Sequence, residues 1–150
     1  MKNTLIVYYS LTGNSEKIAN YLSTLIDSDT ERIQDLTNRK GIIAFLRSGY
    51  EALYKKCPNI KKLNADVKNY ENVFVITPIW AGNIASPVRT FLVENINSIK
   101  NLTLIFTQAS NEPIDINKVY SKDFNKKLKS YYLIPKQKVV SGEYKKILDN

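Results

Sequence analysis

A cluster of hydroxyl and amide side chains follows the first apolar run of the sequence. The run at residues 4–9 (TLIVYY) leads directly into the loop SLTGNS, which contains no lysine, aspartate or histidine. Where a strand turns into a helix, the unpaired N–H groups of the helix N-terminus attract anions. Neutral hydroxyl and amide donors add to that attraction, and glycine permits a tight turn. This pattern predicts a phosphate-binding loop made of Ser10, Leu11, Thr12, Gly13, Asn14 and Ser15. Taken alone, the loop also fits an ordinary capped helix start.

The loop lacks the signatures of two common nucleotide sites. The G-x-x-x-x-G-K-[ST] motif of nucleoside-triphosphate loops is missing, and a single glycine does not make the G-x-G-x-x-G turn of dinucleotide-binding folds. A neutral cradle of this kind suits a terminal phosphate that is held and not cleaved.

A second loop contains the only tryptophan of the chain. The segment TPIWAGNIASP at residues 77–87 follows the apolar run NVFVIT. A large aromatic side chain in a loop beside a binding site can stack on a flat ring, although a lone tryptophan more commonly packs onto its own domain. We predict ligand contacts from Thr77, Pro78, Ile79, Trp80, Ala81, Gly82 and Asn83.

These loops need a scaffold that brings them together, and the hydropathy pattern indicates one. Apolar, β-branched runs at residues 4–9, 30–34, 72–77, 102–107 and 136–140 predict strands. Helical periodicity predicts helices at residues 15–26, 41–55, 115–132 and 143–149, with another starting at the Ser86–Pro87 pair. In the second helix, Ile42, Ile43, Leu46, Tyr50, Leu53 and Tyr54 share one side.

Strict alternation of strands and helices predicts one α/β domain over residues 1–150, with a parallel sheet covered on both faces. Ligands of such sheets bind outside the carboxyl ends of the strands. The third loop, TQASNEP at residues 107–113, would lie at that edge beside the first two. Thr107, Gln108 and Ala109 therefore join the predicted site.

Composition excludes several kinds of chemistry. The chain of 150 residues has no histidine, which removes histidine-based triads, histidine general bases and histidine metal ligands, and we predict neither catalytic side chains nor a metal site. The single Cys57 cannot form an internal disulfide, and no apolar run approaches the length of a membrane span. We therefore expect a cytoplasmic protein without membrane insertion. The net charge of +8 comes from dispersed lysines, a pattern that does not favour nucleic-acid binding.

Three segments resemble one family. The S-x-T-G-N-[ST] pattern at residues 10–15 resembles the FMN-phosphate loop of flavodoxins, and TPIWAGNIASP resembles the second flavin loop of short flavodoxin-like proteins. The helix FLRSGYEALYKK at residues 45–56 is also similar to that group. The resemblance implies a doubly wound, five-stranded parallel sheet of strand order 2-1-3-4-5 with FMN as cofactor.

The resemblance also implies roles for individual residues. Ser10, Thr12, Asn14 and Ser15, with the backbone amides of Leu11 and Gly13, would hold the FMN phosphate. Trp80 would lie against the isoalloxazine, and the backbone of Ala81, Gly82 and Asn83 would approach the flavin edge. The third loop departs from the family because it lacks glycines and has no second aromatic residue for stacking.

The function that the resemblance implies is electron transfer by FMN between redox partner proteins. Flavodoxins are typically acidic, whereas this chain is basic, so its partners would be acidic proteins and transfer would slow with added salt. A small FMN-dependent reductase of a quinone or similar molecule is the alternative, and a flavodoxin-like module with weak or lost FMN binding is a third. We expect a monomer or a weak dimer.

Overall fold

A parallel sheet forms the centre of the computed structural model, which describes residues 2–150. Its strands are β1 (Thr4–Tyr8), β2 (Ser28–Arg32), β3 (Asn72–Trp80), β5 (Asn101–Gln108) and β6 (Ser130–Pro135), paired in the order β2-β1-β3-β5-β6. Counted without the two-residue β4 (Asn83–Ile84), which pairs antiparallel with the end of β3, this is the predicted order 2-1-3-4-5. The predicted fold class is confirmed, with one short strand more than expected.

Within residues 2–150, five α-helices accompany the sheet, together with short 3-10 turns at Val67–Asn69 and Ile96–Ser98. They are α1 (Asn14–Leu25), α2 (Ile42–Leu53), α3 (Ser86–Asn95), α4 (Lys136–Ser141) and α5 (Tyr144–Leu148). Within residues 2–150, none of these helices combines the length and the apolar character that crossing a bilayer requires.

The core has two layers because alternate residues of each strand point to opposite faces of the sheet. In β1, Leu5 and Val7 belong to the layer that packs against α3, while Ile6 and Tyr8 belong to the layer that packs against α1, α4 and α5. All strands of the main sheet run parallel, so their carboxyl ends meet at one edge. The register places Tyr8, Pro78, Thr107 and Pro135 near that edge.

The long helix predicted at residues 115–132 is wrong. Only a π-helical turn at Asn117–Ser121 forms there, and residues 130–135 are the edge strand β6. The run SYYLIP is rich in aromatic and branched residues that favour strands, and it pairs in parallel with β5. Tyr120 and Phe124 of this segment are nevertheless buried in the core.

The strand predicted at residues 136–140 is also wrong, because this segment is α4. Proline cannot continue the hydrogen-bond ladder of a strand, and Pro135 ends β6. The helix then begins at Lys136, directly at the carboxyl edge of the sheet.

Candidate functional site

The first loop is folded around its own serine and glycine. Gly13 adopts a left-handed conformation, with φ of 93°, immediately before α1, and its amide donates a hydrogen bond to Ser10 Oγ over 3.0 Å. The Ser10 carbonyl accepts a hydrogen bond from the Arg32 guanidinium over 2.8 Å. Arg32, at the end of β2, therefore anchors the loop, a role that no local sequence signal indicated.

A hydroxyl contact joins the first and third loops. Ser15 Oγ lies 3.3 Å from Thr107 Oγ1, and both side chains are buried. This contact brings two predicted site segments together although they are far apart in sequence. The carboxyl edge of the sheet thus carries a contiguous set of hydroxyl groups, as the topology predicts.

The second loop is a tight hairpin. Ala81 and Gly82 both have positive φ, 46° and 72°, as the two central residues of a type I′ turn require. Trp80 pairs with Asn83 across this turn, and the Asn83 side-chain amide donates to the Ala81 carbonyl over 3.1 Å. The hairpin holds the half-buried Trp80 at the end of β3.

Two neighbours hold the Trp80 ring. The Arg39 guanidinium lies 5.5 Å from the centre of the ring, and the Tyr9 ring meets it edge-on at 5.5 Å between centroids. Burial and the nearby Asp35 carboxylate raise the pKa of Tyr9 to about 12, so its hydroxyl stays neutral at physiological pH. Arg39 was not among the predicted site residues.

Arg39 also belongs to a buried ion cluster that fixes α2. Its guanidinium contacts Asp35 at 2.6 Å and Glu51 at 2.7 Å, and all three side chains are buried. Ser86 Oγ donates to Glu51 over 2.9 Å, and Arg47 approaches the same carboxylate at 2.8 Å. The polar side of α2 is therefore the side that packs against the body of the protein.

The apolar side of α2 consequently faces outward. The only buried residues of this helix are Ala44, Ser48, Glu51 and Ala52. The apolar residues that the sequence placed on one side do share a side, and that side is exposed: Ile42, Ile43, Leu46, Tyr50, Leu53 and Tyr54.

One cavity of about 620 Å³ joins these features. All predicted site residues except Gly13, Thr77, Gly82 and Asn83 line it. Gly13, Gly82 and Asn83 support the adjoining turns, while the buried Thr77 hydroxyl donates to the Pro78 carbonyl over 2.9 Å. Hydroxyl side chains of the first and third loops and apolar side chains of the second loop both contribute to the lining.

The cavity also has a wall made of residues outside the three predicted loops. Part of α2 and the first residue of α4 complete the lining: Phe45, Leu46, Ser48, Gly49, Tyr50, Leu53 and Lys136. Gly49 was a usable signal, because glycine inside a helix costs about 1 kcal/mol relative to alanine. No packing contact explains it, since a Cβ added there meets no heavy atom within 4 Å.

The ionisation of Glu51 makes a testable contribution to stability. Burial alone would raise its pKa, but hydrogen bonds from Arg39, Arg47 and Ser86 outweigh burial and hold the pKa below its ordinary value. A depressed folded-state pKa contributes stability that is present above the unfolded value, about 4.3, and is lost as the pH falls through the folded value.

We therefore expect the free energy of unfolding to fall with pH below about 4.3, and to fall less steeply in Glu51→Gln. Urea unfolding at a series of pH values would measure both slopes. The stability gap between the two proteins should narrow in acid, and parallel curves would contradict the assignment. The pKa of Asp123 is also lowered, by Lys55 and Arg89 against the effect of burial. The free energy of unfolding of Glu51→Gln should therefore still depend on pH in acid, though less than that of the wild type.

Comparison with known proteins gives matches to solved structures alone. No protein-family profile and no curated protein sequence matches the chain. A flavoprotein from Lactobacillus acidophilus NCFM, solved in complex with FMN, is similar over 94% of this chain and 98% of its own, with 24% identity and a TM-score of 0.71.

Two further structures agree with that match. The apo form of the flavoprotein from Lactobacillus acidophilus NCFM is similar over 91% of this chain and 95% of its own, with 25% identity and a TM-score of 0.64. A flavodoxin from the domain Archaea covers 97% of this chain and 93% of its own, with 17% identity and a TM-score of 0.51. The protein therefore has the flavodoxin-like fold.

Proposed function

We propose that this protein binds FMN and uses it to transfer electrons. The observation that carries the proposal is the cavity of about 620 Å³, which is lined both by neutral hydroxyl groups and by large apolar side chains. Its volume lies within the usual range of small-molecule sites. A phosphate suits the hydroxyl groups and a flat aromatic ring suits the apolar side chains, and FMN carries both. The match to a flavoprotein in complex with FMN supports the same cofactor.

Different residues of the chain would bind different parts of FMN. Ser10, Thr12, Asn14 and Ser15 offer donors to the phosphate, and Lys136 adds a cation to the same cavity. Trp80, fixed by Arg39 and Tyr9, supplies an aromatic surface for the ring. The bound flavin would supply the redox chemistry, while the protein controls its orientation and its contact with water.

A titration of the purified protein with FMN, followed by quenching of flavin fluorescence, tests the proposal. We expect saturable binding that Trp80→Ala weakens by roughly tenfold, because a stacked aromatic pair contributes about 0.5–1.5 kcal/mol beyond buried area. Tyr131→Ala is a matched control, since this exposed aromatic residue does not line the cavity. A protein that leaves FMN fluorescence unchanged would refute the proposed function.

Gly49 provides a second test of the ring position. Gly49→Ala should stabilise the cofactor-free protein by roughly 0.5–1 kcal/mol, because alanine favours a helix and has open space there. If the ring lies against this part of α2, the added methyl group should weaken FMN binding by about tenfold.

Ile43→Ala is the control for Gly49→Ala. It also improves helix propensity, but Ile43 lies outside the cavity lining. Thermal unfolding and FMN titration of both variants measure the two effects separately. Equal FMN affinity in Gly49→Ala and the wild type would place the ring elsewhere in the cavity.

Two uses of the cofactor are compatible with this site. We favour a carrier that exchanges electrons with acidic partner proteins, since the chain has a net charge of +8. Electron transfer to such a partner should slow as salt is added, because screening weakens attraction between opposite charges. Rates that do not change with salt would count against acidic partners.

The apolar wall of α2 favours the second candidate, a reductase of a quinone or a similar flat molecule. Phe45, Leu46 and Leu53 line the cavity and remain exposed, which gives an apolar acceptor a surface to contact. In that reaction the quinone takes up two electrons from the reduced flavin and two protons, and becomes the quinol.

Rapid mixing of the reduced, FMN-loaded protein with a soluble quinone distinguishes the candidates. A rate that saturates with quinone concentration shows a bound acceptor and supports the reductase. A rate that rises linearly shows collision without a binding site and supports the carrier. If the protein is a reductase, Leu46→Ala should raise the quinone concentration that half-saturates the rate. If it is a carrier, the substitution should leave the rate unchanged.

A further inference from the structure

One lateral edge of the main sheet has no neighbouring strand. Strand β6 lies at the end of the order β2-β1-β3-β5-β6 and pairs only with β5. Within the described residues 2–150, no backbone hydrogen bond reaches residues 130–134 from outside that ladder. A strand that is paired on one side leaves a row of N–H and C=O groups free on the other. The outer edge of β6 can therefore pair with one more strand.

The opposite edge strand, β2, is protected by its own charged side chains. Glu31 accepts hydrogen bonds from the backbone amides of Asn64 and Ala65, and Asp29 accepts one from the Tyr70 hydroxyl over 2.8 Å. Proteins commonly guard edge strands with charges and neighbouring chain in this way. The sequence of β6, SYYLIP, contains no charged residue, and its one proline stands at the end of the strand. The edge of β6 is thus left without that protection.

A surface hollow of about 570 Å³ lies at the amino end of β6. The first two residues of the strand and side chains of the preceding segment, residues 116–129, line it. Part of this lining is apolar, since it includes the buried Phe124, the partly buried Leu128 and the ring of Tyr131, which is 46% exposed. An apolar side chain of an added strand would find a binding surface here.

The charged side chains that line this hollow are all cationic: Lys126, Lys127 and Lys129. Within residues 2–150 none of them forms an ion pair, and Lys129 donates to the neutral Asn72 side chain over 3.2 Å. The acidic residues of the same segment are engaged elsewhere. Asp123 pairs with two other cations, and Asp115 accepts hydrogen bonds from backbone amides of the π-helical turn. The positive charge of the hollow is therefore not neutralised by the segment that carries it.

The free strand edge and the charge together indicate an acidic peptide segment as the occupant. A peptide can continue the ladder of β6 with its own N–H and C=O groups, which neither a nucleic acid nor a lipid can do. Carboxylates on that peptide would pair with the lysines. A second copy of this chain, with its net charge of +8, would instead be repelled. The lining contains no arginine, the residue that phosphate recognition favours.

We propose that β6 and the adjoining hollow bind an extended acidic segment of a partner protein, which adds to the sheet as a further strand and pairs its carboxylates with Lys126, Lys127 and Lys129. The hollow lies at the amino end of β6, whereas Lys136, just beyond its carboxyl end, lines the cavity of about 620 Å³. At about 3.3 Å per residue, the strand separates the two by roughly 15–20 Å. The inference therefore does not rest on the proposed function.

Fluorescence anisotropy of the full chain with a labelled peptide of alternating valine and glutamate tests the proposal. We expect saturable binding that added salt weakens. Lys127→Glu should weaken it by roughly tenfold, because an attraction becomes a repulsion. Lys17→Glu is the matched control, since it changes the net charge equally at an exposed position on α1, which packs against the other layer of the core. Equal weakening by the two variants would overturn the proposal, as would the absence of binding at low salt.

Pairing with the strand edge has a test of its own. A peptide of the same sequence with N-methyl groups on four consecutive central residues keeps its charge and cannot donate hydrogen bonds there, so it should bind at least about tenfold more weakly. The unmodified peptide should slow hydrogen exchange of the amides in residues 130–134. Equal affinity for both peptides would overturn the proposal. A single-stranded oligonucleotide that binds more tightly and displaces the peptide would also overturn it and assign the lysines to a nucleic acid. Binding of the peptide by a protein that ignores FMN would keep this inference and reject the proposed function alone.

Discussion

Replacing Arg39 with methionine is expected to lower the free energy of unfolding by about 3–5 kcal/mol. The guanidinium contacts two buried carboxylates, Asp35 at 2.6 Å and Glu51 at 2.7 Å. Its removal leaves both carboxylates without their main counter-ion inside the protein. For a chain of this size, such a loss corresponds to a fall in melting temperature of roughly 6–20 °C, which urea and thermal unfolding can measure.

The controls for Arg39→Met use the same cluster. Arg47→Met removes a cation that contacts the same Glu51, but its side chain is 59% exposed, so the expected loss is below about 1 kcal/mol. A triple variant with apolar residues at positions 35, 39 and 51 should recover much of the stability, since it buries no unpaired charge. Equal losses in Arg39→Met and Arg47→Met would contradict the importance of the buried cluster.

Replacing Thr12 with glutamate is expected to weaken FMN binding by at least about 100-fold. Thr12 is an exposed side chain of the first loop and lines the cavity. A phosphate monoester carries about −1.5 to −2 charges at pH 7. Two like charges 4 Å apart repel by about 4 kcal/mol at the effective dielectric of a protein surface.

Riboflavin provides the internal control for Thr12→Glu, because it has the same ring and lacks the phosphate. We expect its affinity to change little, and we expect Thr12→Gln, which has similar size and no charge, to lose far less FMN affinity. Added salt should restore part of the binding. If Thr12→Glu weakens FMN and riboflavin equally, the first loop does not hold the phosphate.

Much of the fold was predictable because strand periodicity is a local property. The runs TLIVYY, NVFVIT and LTLIFT are continuous apolar segments between helical ones, and all three form central strands in the predicted order. The same reasoning failed near the C-terminus. There, the lysine-rich segment before Ser130 fits a helical pattern, but an unpaired edge of β5 made strand pairing the better solution.

The candidate site was predictable where the strands end and unpredictable where it depends on distant packing. Loop residues such as Ser15 and Thr107 could be assigned because parallel strands bring their ends together. Arg32 and Arg39 could not be assigned, because no local pattern links them to Ser10 or Trp80. Gly49 was the one local signal of the α2 wall, since periodicity shows that apolar residues share a helix face without showing which face is buried. In α2 the ion cluster around Glu51 determines which face is buried, and that cluster is formed by residues from three separate segments.

The placement of Trp80 gives the protein an optical reporter of its own. It is the only tryptophan in the sequence. Its indole lines the cavity and also contacts the Arg39 guanidinium and the Tyr9 ring. Tryptophan fluorescence can be excited at wavelengths where the ten tyrosines absorb little, and it should therefore respond both to ligand binding and to unfolding. Ligand entry changes the surroundings of the indole in the cavity, and opening of the buried ion cluster removes the Arg39 guanidinium from the ring. Folding and binding can thus be followed in the unlabelled natural chain.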